Sequence, residues 1–204
     1  GTEEFPAVPA SWDLSQMTSK YKTEFIANSD WLKINFHSYD VRDYPYASAT
    51  YQQAYDEFNL VKTEVLRFAG EQSWDKFTRT QFFSGNKDSV RAWRDLGNKG
   101  FLIGHYGFNP SLYLNFDNNP ENLILNFLYT NNYWKDEELG VYQITTDIWF
   151  EINHNVVNYL NSLNADPKKS EIIELYTHDS ICGLQSIRAP NTNLDNEVCL
   201  GMLG

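Results

Sequence analysis

Residues 31 to 106 switch between two hydrophobic periods, and that switching limits the folds open to the chain. Leu32, Ile34 and Phe36 alternate with Lys33, Asn35 and His37, the period of a half-buried strand over Trp31–His37. Thr50-Tyr51-Gln52-Gln53 then fits a capping box, with Thr three residues before Gln. Behind it Ala54, Phe58, Val61, Val65 and Phe68 recur at helical spacing to about Ala69, and Gly70 is a natural stop. Lys76 to Phe83 reads as a second strand, ending in Ser84-Gly85. Asn86 caps a second helix through Ala92 and Trp93, stopped by Gly97, and Gly100 to Tyr106 reads as a short buried strand. Strand, helix, strand, helix, strand in that order implies βαβ units, hence a parallel sheet with helices on its faces.

The flanks are less regular. Residues 1–14, with Pro6 and Pro9, form an irregular lead-in. Leu14 to Asn28 is expected to be helical, with Ser15 as cap and Met17, Tyr21, Phe25 and Ile26 on one side. Asn109 to Gly140 is Asn-rich and aromatic and breaks the rhythm, so a hairpin or long loops are expected there. Val141 to Thr146 resumes a strand that ends at Asp147, Asn155 to Leu163 is helical, and Ile172 to Thr177 is a last strand ending in His178-Asp179. Residues 184–204 carry no strong period. The 204 residues are read as one domain, long enough for a sizeable core.

Charge narrows the partners. A net charge of −11 argues against nucleic acid, whose phosphates need clustered Lys and Arg. No apolar run reaches membrane-spanning length, and the first residue, Gly, leaves both a cytoplasmic protein and one exported after signal removal open. Cys182 and Cys199 are too few for a disulfide framework and are not spaced as a zinc site; pairing and free thiols both fit. Tyr and Trp are abundant, 13 and 6, and such rings in loops suit sugars, which stack on the face and hydrogen-bond to the tip. The same rings also fill ordinary cores.

The polar residues sit where a parallel sheet would gather them. His37 with Asp40, Arg79 with Gln81, Asp147 with Glu151, and His178 with Asp179 each follow a strand. Strand C-termini of such a sheet share one rim. Histidines and carboxylates there are the material of a metal site or an acid–base pair. Each has a plainer reading: a backbone hydrogen bond for His37, a helix cap for Asp147, a structural ion pair for Arg79.

Three segments carry a resemblance to a known family. Phe36-His37-Ser38 resembles the His-Ser/Thr metal motif of the polysaccharide deacetylase-like branch of the glycoside hydrolase/deacetylase barrel superfamily. Arg79 followed by Phe83-Ser84-Gly85, and a helix ending in Leu96-Gly97, resembles that family's Arg-containing motif. Leu175-Tyr176-Thr177-His178 resembles its late histidine motif. The resemblance implies an α/β fold, a distorted or incomplete (β/α)7-type barrel of mainly parallel strands with flanking helices; an open parallel sheet is the alternative. It implies a divalent, zinc-like metal that polarises an acyl carbonyl and activates water, with His37 a ligand and Asp40 beside it. His178 would be the general acid and Arg79 would orient a carboxylate; Asp147, from its place after a strand, is a further catalytic candidate. Tyr39, Gln81, Tyr106 and Trp134 would contact the saccharide. The chain departs from the family in three places. No Asp-Asp pair precedes His37, the second metal histidine would fall on Val41, and Thr80 and Gln81 stand where the family has proline. The expectations are therefore acyl hydrolysis on a saccharide, saccharide binding without turnover and without a tightly held metal, or a metal-free glycosidase using Asp147 and Glu151.

Overall fold

A computed structural model describes residues 13–40, 45–104, 127–128, 130–146, 148–149, 156–168 and 175–176. Its centre is a four-stranded sheet in the order β1-β2-β4-β3. β1 (Phe77–Thr78), β2 (Gly100–Ile103) and β4 (Val141–Thr145) are parallel, and β3 (Tyr133–Asp136) runs antiparallel along the β4 edge. β5 (Ile148–Trp149) and β6 (Leu175–Tyr176) form a separate parallel pair. The described residues thus give a mixed α/β fold with a mostly parallel sheet and flanking helices; β3, from the end of the Asn109–Gly140 stretch, pairs antiparallel with β4 beyond Gly140.

The helices begin and end where local chemistry says they should. α2 (Tyr51–Ala69) starts at Thr50, whose hydroxyl accepts from the Gln53 N–H at 3.2 Å. α3 (Lys87–Asp95) starts at Asn86, whose side chain accepts from the Ser89 N–H at 2.8 Å. Gly70 and Gly97, just past the two helices, take left-handed φ values of 89° and 96°, which suits a residue without Cβ. α4 (Val156–Ala165) follows the second strand pair's first member.

The N-terminal expectation needs correction. Leu14 to Asn28 is not one helix: a 3-10 turn (Leu14–Gln16) precedes α1 (Lys22–Ala27). Asp13, not Ser15, caps the turn, accepting from the Ser15 N–H at 2.8 Å. Between the two pieces the Thr18 hydroxyl accepts from the Lys20 N–H, a local bond that competes with helix formation.

The Trp31–His37 segment is extended, yet only Ile34 makes a bridge, parallel to Trp74. Ile34 donates to the Ser73 carbonyl at 2.8 Å and accepts from the Asp75 N–H at 2.9 Å, and the Gln81 N–H reaches the His37 carbonyl at 3.0 Å. The segment therefore lies beside β1 as an irregular outer strand. The predicted strand Lys76–Phe83 is also shorter than expected, because a 3-10 turn (Gln81–Phe83) ends it.

An aromatic core joins these pieces. Phe36 lies 4.9 Å from Phe58, 5.6 Å from Tyr46 and 5.9 Å from Trp93 between ring centres. Trp93 also meets Phe101 of β2 at 5.7 Å. All five rings are essentially buried. The Trp93 indole N–H donates to the Ala54 carbonyl of α2 at 3.2 Å, so its one polar atom is satisfied. Truncating such a ring to alanine costs about 3–5 kcal/mol. This packing fixes the outer strand, α2, α3 and β2 as one unit, and thereby fixes where their strand ends lie.

Candidate functional site

The ends of the parallel strands are tied to one another. His37 closes the outer strand, and its Nδ1–H donates to the Arg79 carbonyl, 2.8 Å away. Arg79, just past β1, donates from Nη2 to the Thr146 hydroxyl at 3.1 Å. That hydroxyl, just past β4, gives its own proton to the Ile103 carbonyl at the end of β2, at 2.8 Å. The Thr146 N–H reaches the same carbonyl at 3.1 Å. Four strand ends thus form one hydrogen-bonded rim.

The groups on this rim have different freedom. Arg79 is 8% exposed and its guanidinium lies over the Phe83 ring at 5.4 Å, so it is a held charge. The His37 side chain is exposed. A carbonyl can only accept, so the neutral imidazole spends its proton at Nδ1 and keeps its lone pair on Nε2. That leaves one basic nitrogen, in a fixed ring orientation, at the rim.

Beyond His37 the chain borders an open cleft of about 700 Å³. Ser38, Tyr39 and Asp40 form one wall, Asp13 to Ser15 another, and Leu60, Val61 and Glu64 of α2 the floor. Tyr39 is 53% exposed, and its backbone N–H is held by the buried Tyr46 hydroxyl at 3.1 Å. Glu64 is bridged to Arg67 at 2.6 Å. Asp13 is held below the usual carboxylate range by the hydrogen bond from Ser15.

Of the residues expected at the site, His37, Arg79 and Gln81 come together at the rim, with Tyr39 and Asp40 in the adjoining cleft. Trp134 sits elsewhere, on the edge strand β3, paired with Gln143 of β4 and packed against the core. Tyr133 is half-buried on the same strand. Asp147, Glu151, Tyr106, His178 and Asp179 lie outside the described residues. Thr146, the partner that fixes Arg79, was not anticipated. Its only signal is a hydroxyl at the last position of a predicted strand.

The metal-centre expectation meets a short donor set. Among the described residues no group of three or more His, Cys, Asp or Glu is placed to hold a metal ion, whereas a catalytic zinc-like centre takes at least three protein ligands. His37 Nε2 and Asp40 alone do not fit that requirement. No helix among the described residues is long and apolar enough to cross a membrane. Comparison with family models, curated proteins and solved structures finds no match to this chain.

Proposed function

We propose that this chain is a carbohydrate-active α/β domain, resembling polysaccharide deacetylases, that binds a saccharide across the strand-end rim and the Tyr39 cleft. The observation that carries the reading is the rim itself. His37, Arg79 and Thr146 are linked through hydrogen bonds, and the exposed Tyr39 ring stands two residues beyond His37. A ring face for the sugar and fixed polar atoms for its hydroxyls are what saccharide recognition needs. The sheet's near-sequential strand order, with the outer strand beside β1, suits an arc of the distorted or incomplete (β/α)7-type barrel that the resemblance implies.

The second reading is acyl hydrolysis, and the His37 tautomer favours it. A lone pair on Nε2 can take a proton from an attacking water, the role of a general base. The experiment is a titration of the protein with N-acetylchitotetraose by NMR, alongside an assay of acetate release. Binding that Tyr39→Ala weakens supports the saccharide reading. Acetate release that His37→Ala abolishes supports hydrolysis as well. No binding by the wild-type protein refutes both.

A further inference from the structure

The turn after β1 is under load at four consecutive positions. Phe82 and Phe83 both take left-handed backbone conformations, with φ of 54° and 51°. L-residues adopt that region at a cost, and two bulky ones in succession are uncommon. Thr80 is 2% exposed and its hydroxyl has no hydrogen-bond partner, and the buried Gln81 Oε1 has none either. Buried polar atoms are nearly always paired. Strain and unpaired polar atoms gather where a ligand or a movement resolves them. The turn is held by a few local contacts, among them the Phe83 ring under the Arg79 guanidinium. Phe83 and Ser84 donate to the Thr80 and Gln81 carbonyls, and Gln81 donates to His37. Its far end is pinned where the Ser84 hydroxyl accepts from the Tyr46 N–H at 3.1 Å.

We propose that the turn of residues 80–83 opens on ligand binding, and that Thr80 Oγ1 and Gln81 Oε1 then hydrogen-bond a neutral amide or hydroxyl group of the ligand. The two atoms define the chemistry. Gln81 Oε1 only accepts, so the ligand must offer an N–H or O–H; Thr80 Oγ1 can donate or accept. A secondary amide, or neighbouring hydroxyls, satisfies both. A carboxylate or sulfate has no proton to give Gln81 Oε1, so that atom selects a neutral N–H or O–H group over those anions. The inference rests on the saccharide reading only for the size of the whole ligand.

Two substitutions test it. Phe82→Gly removes left-handed strain at an exposed side chain and so favours the closed turn. It should raise the melting temperature and weaken N-acetylchitotetraose binding by roughly tenfold, because less protein populates the open state. Thr80→Val removes an unpaired hydroxyl with little change of shape, and should also stabilise the free protein while weakening binding. The probe for the turn alone is N-methylacetamide at high millimolar concentration, with acetate as control. Selective shifts of the Thr80 and Gln81 amide signals by N-methylacetamide, lost in Thr80→Val, support the turn as a subsite even if the tetrasaccharide does not bind and the saccharide reading fails. Tetrasaccharide binding that neither substitution changes overturns the turn proposal and leaves the saccharide reading standing. No response to either probe, or an equal response to acetate, overturns it outright.

Discussion

His37 Nδ1 sits 2.8 Å from the Arg79 carbonyl oxygen, a contact across 42 positions of chain that sets both the pose and the tautomer of the ring. Because the carbonyl has no proton to give, the neutral ring is the Nδ1–H form. Nitrogen-15 NMR on the neutral protein should show a protonated Nδ1 and a lone-pair Nε2. A ring protonated at Nε2 would mean that this bond is absent in solution, and with it the base at the rim. His37→Gln should keep the fold and remove the basic nitrogen.

The sequence was most informative where a single residue acts on its own backbone. Thr50 and Asn86 were legible as caps because a side-chain oxygen three residues before an N–H needs no tertiary context. Gly70 and Gly97 were legible as stops for the same reason. Trp31–His37 misled in part. Its alternation forecast a strand, but an outer segment with one parallel neighbour forms only the bonds that neighbour offers, here around Ile34 and at His37. The early end of β1 was hidden too, since Gln81-Phe82-Phe83 holds no glycine to announce left-handed backbone. At the site, His37 and Arg79 could be foreseen as strand-end residues, whereas their mutual contact could not, because nothing local encodes it. Nor did Thr146 carry any signal of its partnership with Arg79.

Arg67 fastens the cleft's N-terminal wall to α2. From Nη1 it donates to the Met17 carbonyl at 2.9 Å and the Ser19 hydroxyl at 3.3 Å. From Nη2 it donates to the carbonyls of Leu14 and Ser15, at 2.9 and 3.1 Å. Arg67→Ala should cost about 1.5–3 kcal/mol, the range for hydrogen bonds to a charged group, at its low end or below because the side chain is partly exposed. Arg67→Lys should restore little, since one ammonium cannot reproduce the guanidinium fork. Limited proteolysis should then cut within residues 13–20. Stability equal to wild type in Arg67→Ala would show that the wall is held by its apolar contacts instead.

Gln143 is fully buried in β4, opposite Phe101 and Trp134, and neither side-chain polar atom has a partner. An amide in that position pays desolvation without return. Gln143→Met keeps the volume and removes both polar atoms, so it should stabilise the protein by about 1–3 kcal/mol. For a chain of this size, that is a rise in melting temperature of roughly 2–4 °C per kcal/mol. A fall on chemical denaturation would mean that the amide is solvated inside the fold.

Tyr51 at the start of α2 donates from its hydroxyl to Asp95 at the end of α3, at 2.9 Å, and this contact should leave a signature in pH. Asp95 is held below the usual carboxylate range, first by the Arg94 hydrogen bond and then by Tyr51. Its contribution is therefore present above the unfolded value of about 3.9, and is lost as pH falls through the lower folded value. Tyr51 is pushed up, chiefly by the hydrogen bond to Asp95. Its contribution is present below the unfolded value of about 10, and is lost as pH rises through the higher folded value. The two edges have different owners. Tyr51→Phe should keep most of the acid-side loss, which belongs mainly to Arg94, and should abolish the alkaline loss. Melting temperatures of both proteins from about pH 3 to 11 decide the matter. The wild-type advantage should be flat through neutrality and shrink above about pH 10. An advantage that persists unchanged into strong alkali would show that Asp95 does not hold the phenol proton.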